Sequence, residues 1–182
     1  MLTKKQIIKK QIIAYFKQNL IGYKCLNEEQ SSVFMLGDTD SVYLCTEYPN
    51  VIGGAIETTI RFGTDYLTCQ IYYCQPVVKG DDQATRATRI INFCNHNLNW
   101  DCNELYEHYY VLDEENGDIF NFCRCRYELI EMYFLDTMNH ILNFSTQQLA
   151  NICIPVLLYT YDKISYKEAT DMINREVRRI DE

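Results

Sequence analysis

The feature that most constrains this chain lies between Ala55 and Gln75. In 55–62, Ile56, Thr58, Ile60 and Phe62 share one face. In 66–75, Leu67, Cys69, Ile71 and Tyr73 share a face, with Tyr66, Thr68, Gln70 and Tyr72 opposite. Strict alternation of this kind marks two half-buried strands. Only Gly63-Thr64-Asp65 separates them, which is room for a hairpin and for no crossover helix. An antiparallel sheet is therefore the centre of the fold.

A second hairpin is expected where 105–112 and 119–127 flank Asp113-Glu114-Glu115-Asn116-Gly117-Asp118. Asn-Gly favours positive φ at both positions. Upstream, 23–26, 33–36 and 42–48 read as short strands between polar turns. Helices frame these strands. Thr3 caps one running to about Leu20, with Ile8, Ile12, Tyr15, Phe16 and Leu20 at helical spacing and Gly22 as the stop. Another covers about 83–97, where Ala84, Ala87, Ile91, Cys94 and Leu98 form a single stripe. Ser145 with Gln148 and Ser165 with Glu168 each read as a capping box, opening helices to about Tyr161, kinked at Pro155, and to about Ile180. The stretch 128–144 reads equally as a short helix or a packed connector. The order α-β(3–5)-α-β-β-α(-α) predicts one α+β domain over 1–182, a twisted antiparallel sheet flanked by helices.

Charge is distributed unevenly. Residues 1–27 carry six Lys and no acid, 28–162 sum to −14, and the whole chain is at −8. This argues against a duplex nucleic-acid binder, which needs a basic footprint. It predicts a basic first helix docked on an acidic body. No run of about 18 apolar residues is present, so no membrane span is expected. The first sixteen residues interrupt their apolar positions with Lys and lack the pattern of a secretory leader. The odd count of nine cysteines, mostly inside apolar patterns, then fits free thiols in a reducing cytoplasm.

The helix with RIINFCNHNLN at its heart, followed by YYVLDEENGDIFNFCRC from Tyr109 to Cys125, resembles the YbjN-like family of small bacterial proteins, described as sensory transduction regulators. About 45 residues are alike in detail, while element order agrees over most of 20–162. The long Tyr- and Cys-rich hairpin at 55–75 and the capped last helix depart from the family pattern. The resemblance implies a fold like that of type III secretion chaperones, pairing as dimers, and non-catalytic binding of another protein's extended segment. It brings no catalytic residue with it.

The residues add little chemistry of their own. Cys94, His96 and Cys102 are close in sequence, and Cys123 and Cys125 share a strand face, but no C-x2-C pair exists. No metal, cofactor or catalytic residue is expected, with Cys123 and Cys125 the first ligands to test if a metal were found. The acidic turn at 113–118 does not meet the spacing of a calcium loop, since position twelve is Arg124. Fifteen tyrosines are the most unusual feature, and Tyr66 and Tyr72 stand out as a partner surface. Three functions stay open: a chaperone-like or regulatory protein-binding module without enzymatic activity, an acidic immunity-type protein that neutralises a basic toxin, and a thiol-based enzyme or sensor. A protein partner or a homodimer is expected, because strands 42–75 carry no Lys and a single Pro to protect sheet edges.

Overall fold

The computed structural model describes residues 2–26, 40–98 and 107–178. The expected strand at 33–36, Cys102, Asp38 and Thr39, and the end of the last helix near Ile180 lie outside these residues. Helix α1 (Lys4–Gln18) opens with a complete capping box: the Gln6 amide donates to Thr3 Oγ1, and the Thr3 amide donates to Gln6 Oε1. The helix ends at Gln18 with Asn19 as its cap, close to the expected Leu20, but the stop is not Gly22: Leu20 itself turns left-handed at φ 55°. The Ile21 amide then returns to the Phe16 carbonyl at 2.9 Å, closing the last turn.

Strands β1 (Lys24–Leu26), β2 (Ser41–Glu47), β3 (Ala55–Phe62) and β4 (Tyr66–Tyr73) form an antiparallel meander. Helix α2 (Asp81–Asn97) follows, then β5 (Glu107–Asp113) and β6 (Asp118–Arg126). The six strands lie in the order β1-β2-β3-β4-β6-β5, every pairing antiparallel. The fold is α+β, as the sequence predicts.

The β5–β6 turn forms differently from the expected two-positive-φ arrangement. Only Gly117 is left-handed, at φ 75°. The Asp113 carboxylate accepts from the Glu115 and Asn116 amides, so a side chain sets the turn instead. Gly117 is there for a second reason: its carbonyl accepts from both Val77 and Val78, and a Cβ would sit 2.1 Å from the Val78 oxygen.

After the sheet come α3 (Tyr127–Met132), α4 (Phe134–Asn139), a π-helical segment at His140–Phe144, α5 (Ser145–Thr160) and α6 (Tyr166–Arg178). The capping box expected at Ser145 does not form, because Ser145 is itself helical and buried. The chain passes from α4 through the π segment into α5 as one helical stretch, which carries Pro155 within it. Against the expectation of no such span, that stretch, Phe134–Thr160, is by length and composition long and apolar enough to cross a membrane, although half of its apolar window is buried in this fold. In this fold Leu149, Ile152, Cys153 and Val156 are core residues. The Ser165–Glu168 box does form and opens α6.

The inward face of the sheet holds two apolar clusters. Helices α2, α5 and α6 cover Ile56, Ile71, Tyr73 and Ile119. Helix α1 and the segment from α3 to the π turn cover Val42, Leu44, Ile60, Phe62, Leu67, Cys69, Cys123 and Cys125. Leu67, Cys69 and Ile71 thus face helices, as their alternation requires. The basic first helix docks as expected: Lys4 meets Glu128 at 2.8 Å and Glu131 at 3.4 Å, and Lys5 and Lys9 both reach Asp40. Water and salt screen such pairs, so the apolar face of α1 anchors it and the lysines orient it.

Candidate functional site

Because side chains alternate across a strand, the register fixes what the outer sheet face displays. One cross-strand row reads Cys45, Glu57, Tyr72, Phe120 and Val111. The next reads Tyr43, Thr59, Gln70, Phe122 and Tyr109. No described helix packs on these rows. Toward β1 the face is closed, with Leu26, Ser41 and Thr59 buried. Toward β5 it is half-exposed, and Tyr109 is 42% accessible. Tyr109 and Phe122 stack at 4.9 Å between ring centroids.

Tyr66 and Tyr72 both belong to this face, on the side opposite Leu67, Cys69 and Ile71. The Arg124 guanidinium lies 3.7 Å above the Tyr66 ring. The Tyr72 hydroxyl is 3.3 Å from Thr59 Oγ1. Burial pushes the Tyr72 phenol up to about 12, so it is a neutral hydrogen-bonding tip at physiological pH.

The thiols sort by face. Cys69, Cys94, Cys123 and Cys125 point into the core and are buried. Burial raises all of the resolved ones among them: Cys69 well above its ordinary value, Cys94 and Cys125 to about 12. A thiol sealed in the core and held protonated is a poor nucleophile, and solvent-borne ions do not reach it. Cys123 and Cys125 are thus packed beside Cys69 and Leu67 rather than presented to a metal. The pattern Cys94–His96 is also divided, with Cys94 buried and His96 bonded to the Asn92 carbonyl on the exposed side.

On the outer face, by contrast, Cys45, Glu57 and Cys74 come together, with their donor atoms all within 4.8 Å of one another. The Tyr43 hydroxyl donates to Glu57 Oε1 at 2.7 Å. Spacings of 12 and 17 residues gave no motif for this trio. Only strand register assembles it, and the usable signal was the alternation that puts all three on the polar side.

A second polar group is sealed inside. Between the two apolar clusters lie Thr58, Asn121, His108, Ser145 and Gln148, all buried, with His140 beside them. The His108 and His140 rings meet edge to face at 5.4 Å. Tyr110 Oη donates to Gln148 Oε1 at 3.3 Å. Burial, with His140 beside it, lowers His108 to about 3, and burial lowers His140 to about 4. Both rings are neutral near pH 7.

A cavity of about 660 Å³ between α2 and the end of α5 is lined by Arg86, Arg89, Tyr161 and Asp162. Its cations are already engaged: Arg86 pairs with Asp162 at 2.8 Å, and Arg89 lies 4.1 Å over the Tyr166 ring. Compared with protein-family models, curated proteins and solved structures, the chain matches none of them.

Proposed function

We propose that this protein is a non-catalytic protein-binding module of the cytoplasm, chaperone-like in the sense the YbjN-like resemblance implies, that holds an apolar segment of a partner protein on the β4–β6–β5 part of its outer sheet face. The observation that carries the reading is the row geometry: Tyr72 beside Phe120 and Val111, and Phe122 beside Tyr109, on a face that no described helix packs against. Aromatic rings with polar tips supply contact area at low rotamer cost, which is why they are enriched in interfaces. The raised, buried thiols support the non-catalytic half of the reading.

A photo-crosslinking residue placed at position 72 or 109 tests it in host cells, with position 20, where Leu20 is 93% exposed, as the control. One discrete adduct is expected from 72 and 109 and none from 20. The partner identified from that adduct, purified, is expected to bind Phe122→Ala at least about tenfold more weakly, as for an aromatic interface anchor. An adduct between two copies of the chain makes the same face a homodimer surface. No discrete adduct, equal adducts from position 20, or unchanged affinity of the variant overturns the proposal.

A further inference from the structure

We infer that Cys45, Glu57 and Cys74 form a binding site for a thiophilic divalent cation, zinc in chemical class, held by two thiolates and one carboxylate with a fourth position open to solvent. The donors fit the ion. Their atoms lie within 4.8 Å of one another, a spread that a single central ion closes by small side-chain rotations. Zinc takes Cys sulfur at about 2.3 Å and carboxylate oxygen at about 2.0–2.2 Å.

The backbone argues for an ion rather than a disulfide. Cys45 is on β2 and Cys74 follows β4, with β3 and Glu57 between them. Strands two apart are about 9–10 Å from each other. A disulfide needs Cα atoms about 4.4–6.8 Å apart. The sulfurs lean toward each other over the intervening strand, which leaves space for an atom that joins them.

The supporting contact is also in place. Metal-bound carboxylates are characteristically oriented by a hydrogen bond to the oxygen that is not coordinating. Tyr43 supplies such a bond to Glu57 Oε1 at 2.7 Å. Because thiolates are the ligands, binding displaces the thiol protons into solvent. No fourth Cys, His, Asp or Glu among the described residues joins the group. Three protein ligands with one open position is the arrangement of zinc that still accepts an exogenous ligand.

The test uses the full chain, purified reduced and stripped of metal, titrated with Co²⁺ and then with Zn²⁺. Expected are one equivalent bound, a thiolate-to-cobalt charge-transfer band, the visible bands of a tetrahedral site, and displacement of both by zinc. Cys45→Ser and Cys74→Ser should abolish the charge-transfer band, Glu57→Gln should weaken binding at least about tenfold, and Tyr43→Phe should weaken it about 10-fold or more, as outer-shell changes do. Cys25→Ser, an exposed thiol elsewhere, should keep the full spectrum. Circular dichroism confirms that each variant is folded. No band in the wild-type chain, a band that persists in the Cys45→Ser/Cys74→Ser double variant, or a Cys45–Cys74 disulfide forming readily under mild oxidation overturns the assignment.

Discussion

Lowering the pH from 7 to 5 should destabilise this protein through His108 and His140. In the unfolded chain each imidazole titrates near 6.5. In the fold, burial holds His108 at about 3 and His140 at about 4. Between those values the unfolded state binds protons that the native state refuses, so stability falls as pH falls. The stabilising contribution is complete above 6.5 and is lost progressively on the way down. Each histidine costs about 1.4 kcal/mol per pH unit below 6.5, or about 2 kcal/mol by pH 5, and the pair about 4 kcal/mol. Asp40, Glu128 and Glu168 have lowered values, so their losses belong to a more acidic range and leave this window clear. Urea unfolding followed by far-ultraviolet circular dichroism at pH 7, 6 and 5 measures the effect. His108→Gln and His140→Gln should each remove about half of the pH slope, whatever they do to stability at pH 7. A wild-type loss below about 1 kcal/mol, or a double variant that keeps the full slope, refutes the reasoning.

Three other substitutions test the backbone. Leu20 is left-handed and 93% exposed, so Leu20→Gly relieves about 1 kcal/mol of strain at no packing cost and raises the thermal midpoint by about 2–4 °C, readable by calorimetry. Gly117→Ala should cost at least about 2 kcal/mol in urea unfolding, since it adds a Cβ at positive φ and 2.1 Å from the Val78 carbonyl oxygen. The Asn95 amide donates to the Tyr110 carbonyl at 2.9 Å and accepts from its amide at 2.6 Å, occupying the centre of the β5 edge. Asn95→Ala should cost about 1–3 kcal/mol and increase self-association in light scattering, because the edge is then free to pair.

The sheet order revises the sequence argument for association. Strands β2, β3 and β4 within 42–75, poor in Lys and Pro, are interior, and the edges are β1 and β5. On β5 the protecting group, Asn95, sits on a helix, fifteen residues from Tyr110, where strand composition does not register it. The elements themselves were legible wherever one face is buried and the other is not: α1, α2, both hairpins and the Ser165 box follow from periodicity and caps. The failures have local causes. Ser145-Gln148 has a capping box's spelling, but tertiary burial keeps the helix running through it. Asn116-Gly117 has the spelling of a two-residue turn, but Asp113 captures the amides first. Tyr66 and Tyr72 could be placed on the polar side from alternation alone. Alternation puts Cys45, Glu57 and Cys74 on that side as well, but their meeting could not be read, because it depends on the register of three strands.

The polar band inside the core explains the one irregularity of the long helix. On β6, Ile119 belongs to one apolar cluster and Cys123 to the other, with Asn121 between them. Both polar atoms of the Asn121 side chain, and Ser145 Oγ, are buried without a hydrogen-bond partner among the described residues. Each such group costs about 1–3 kcal/mol. The π-helical turn at His140–Phe144 occurs where the helix passes this band, directly before Ser145. A π turn adds a residue and rotates the next turns about the axis, so one continuous helix presents Met138 and Ile141 to the cluster under α1 and Leu149, Ile152 and Val156 to the cluster under α2 and α6. A regular α-helix of the same length would keep a single register across both. The polar band is thus the seam at which the helix changes register, and β3, β4 and β6, which each contribute to both clusters, tie the two sides together.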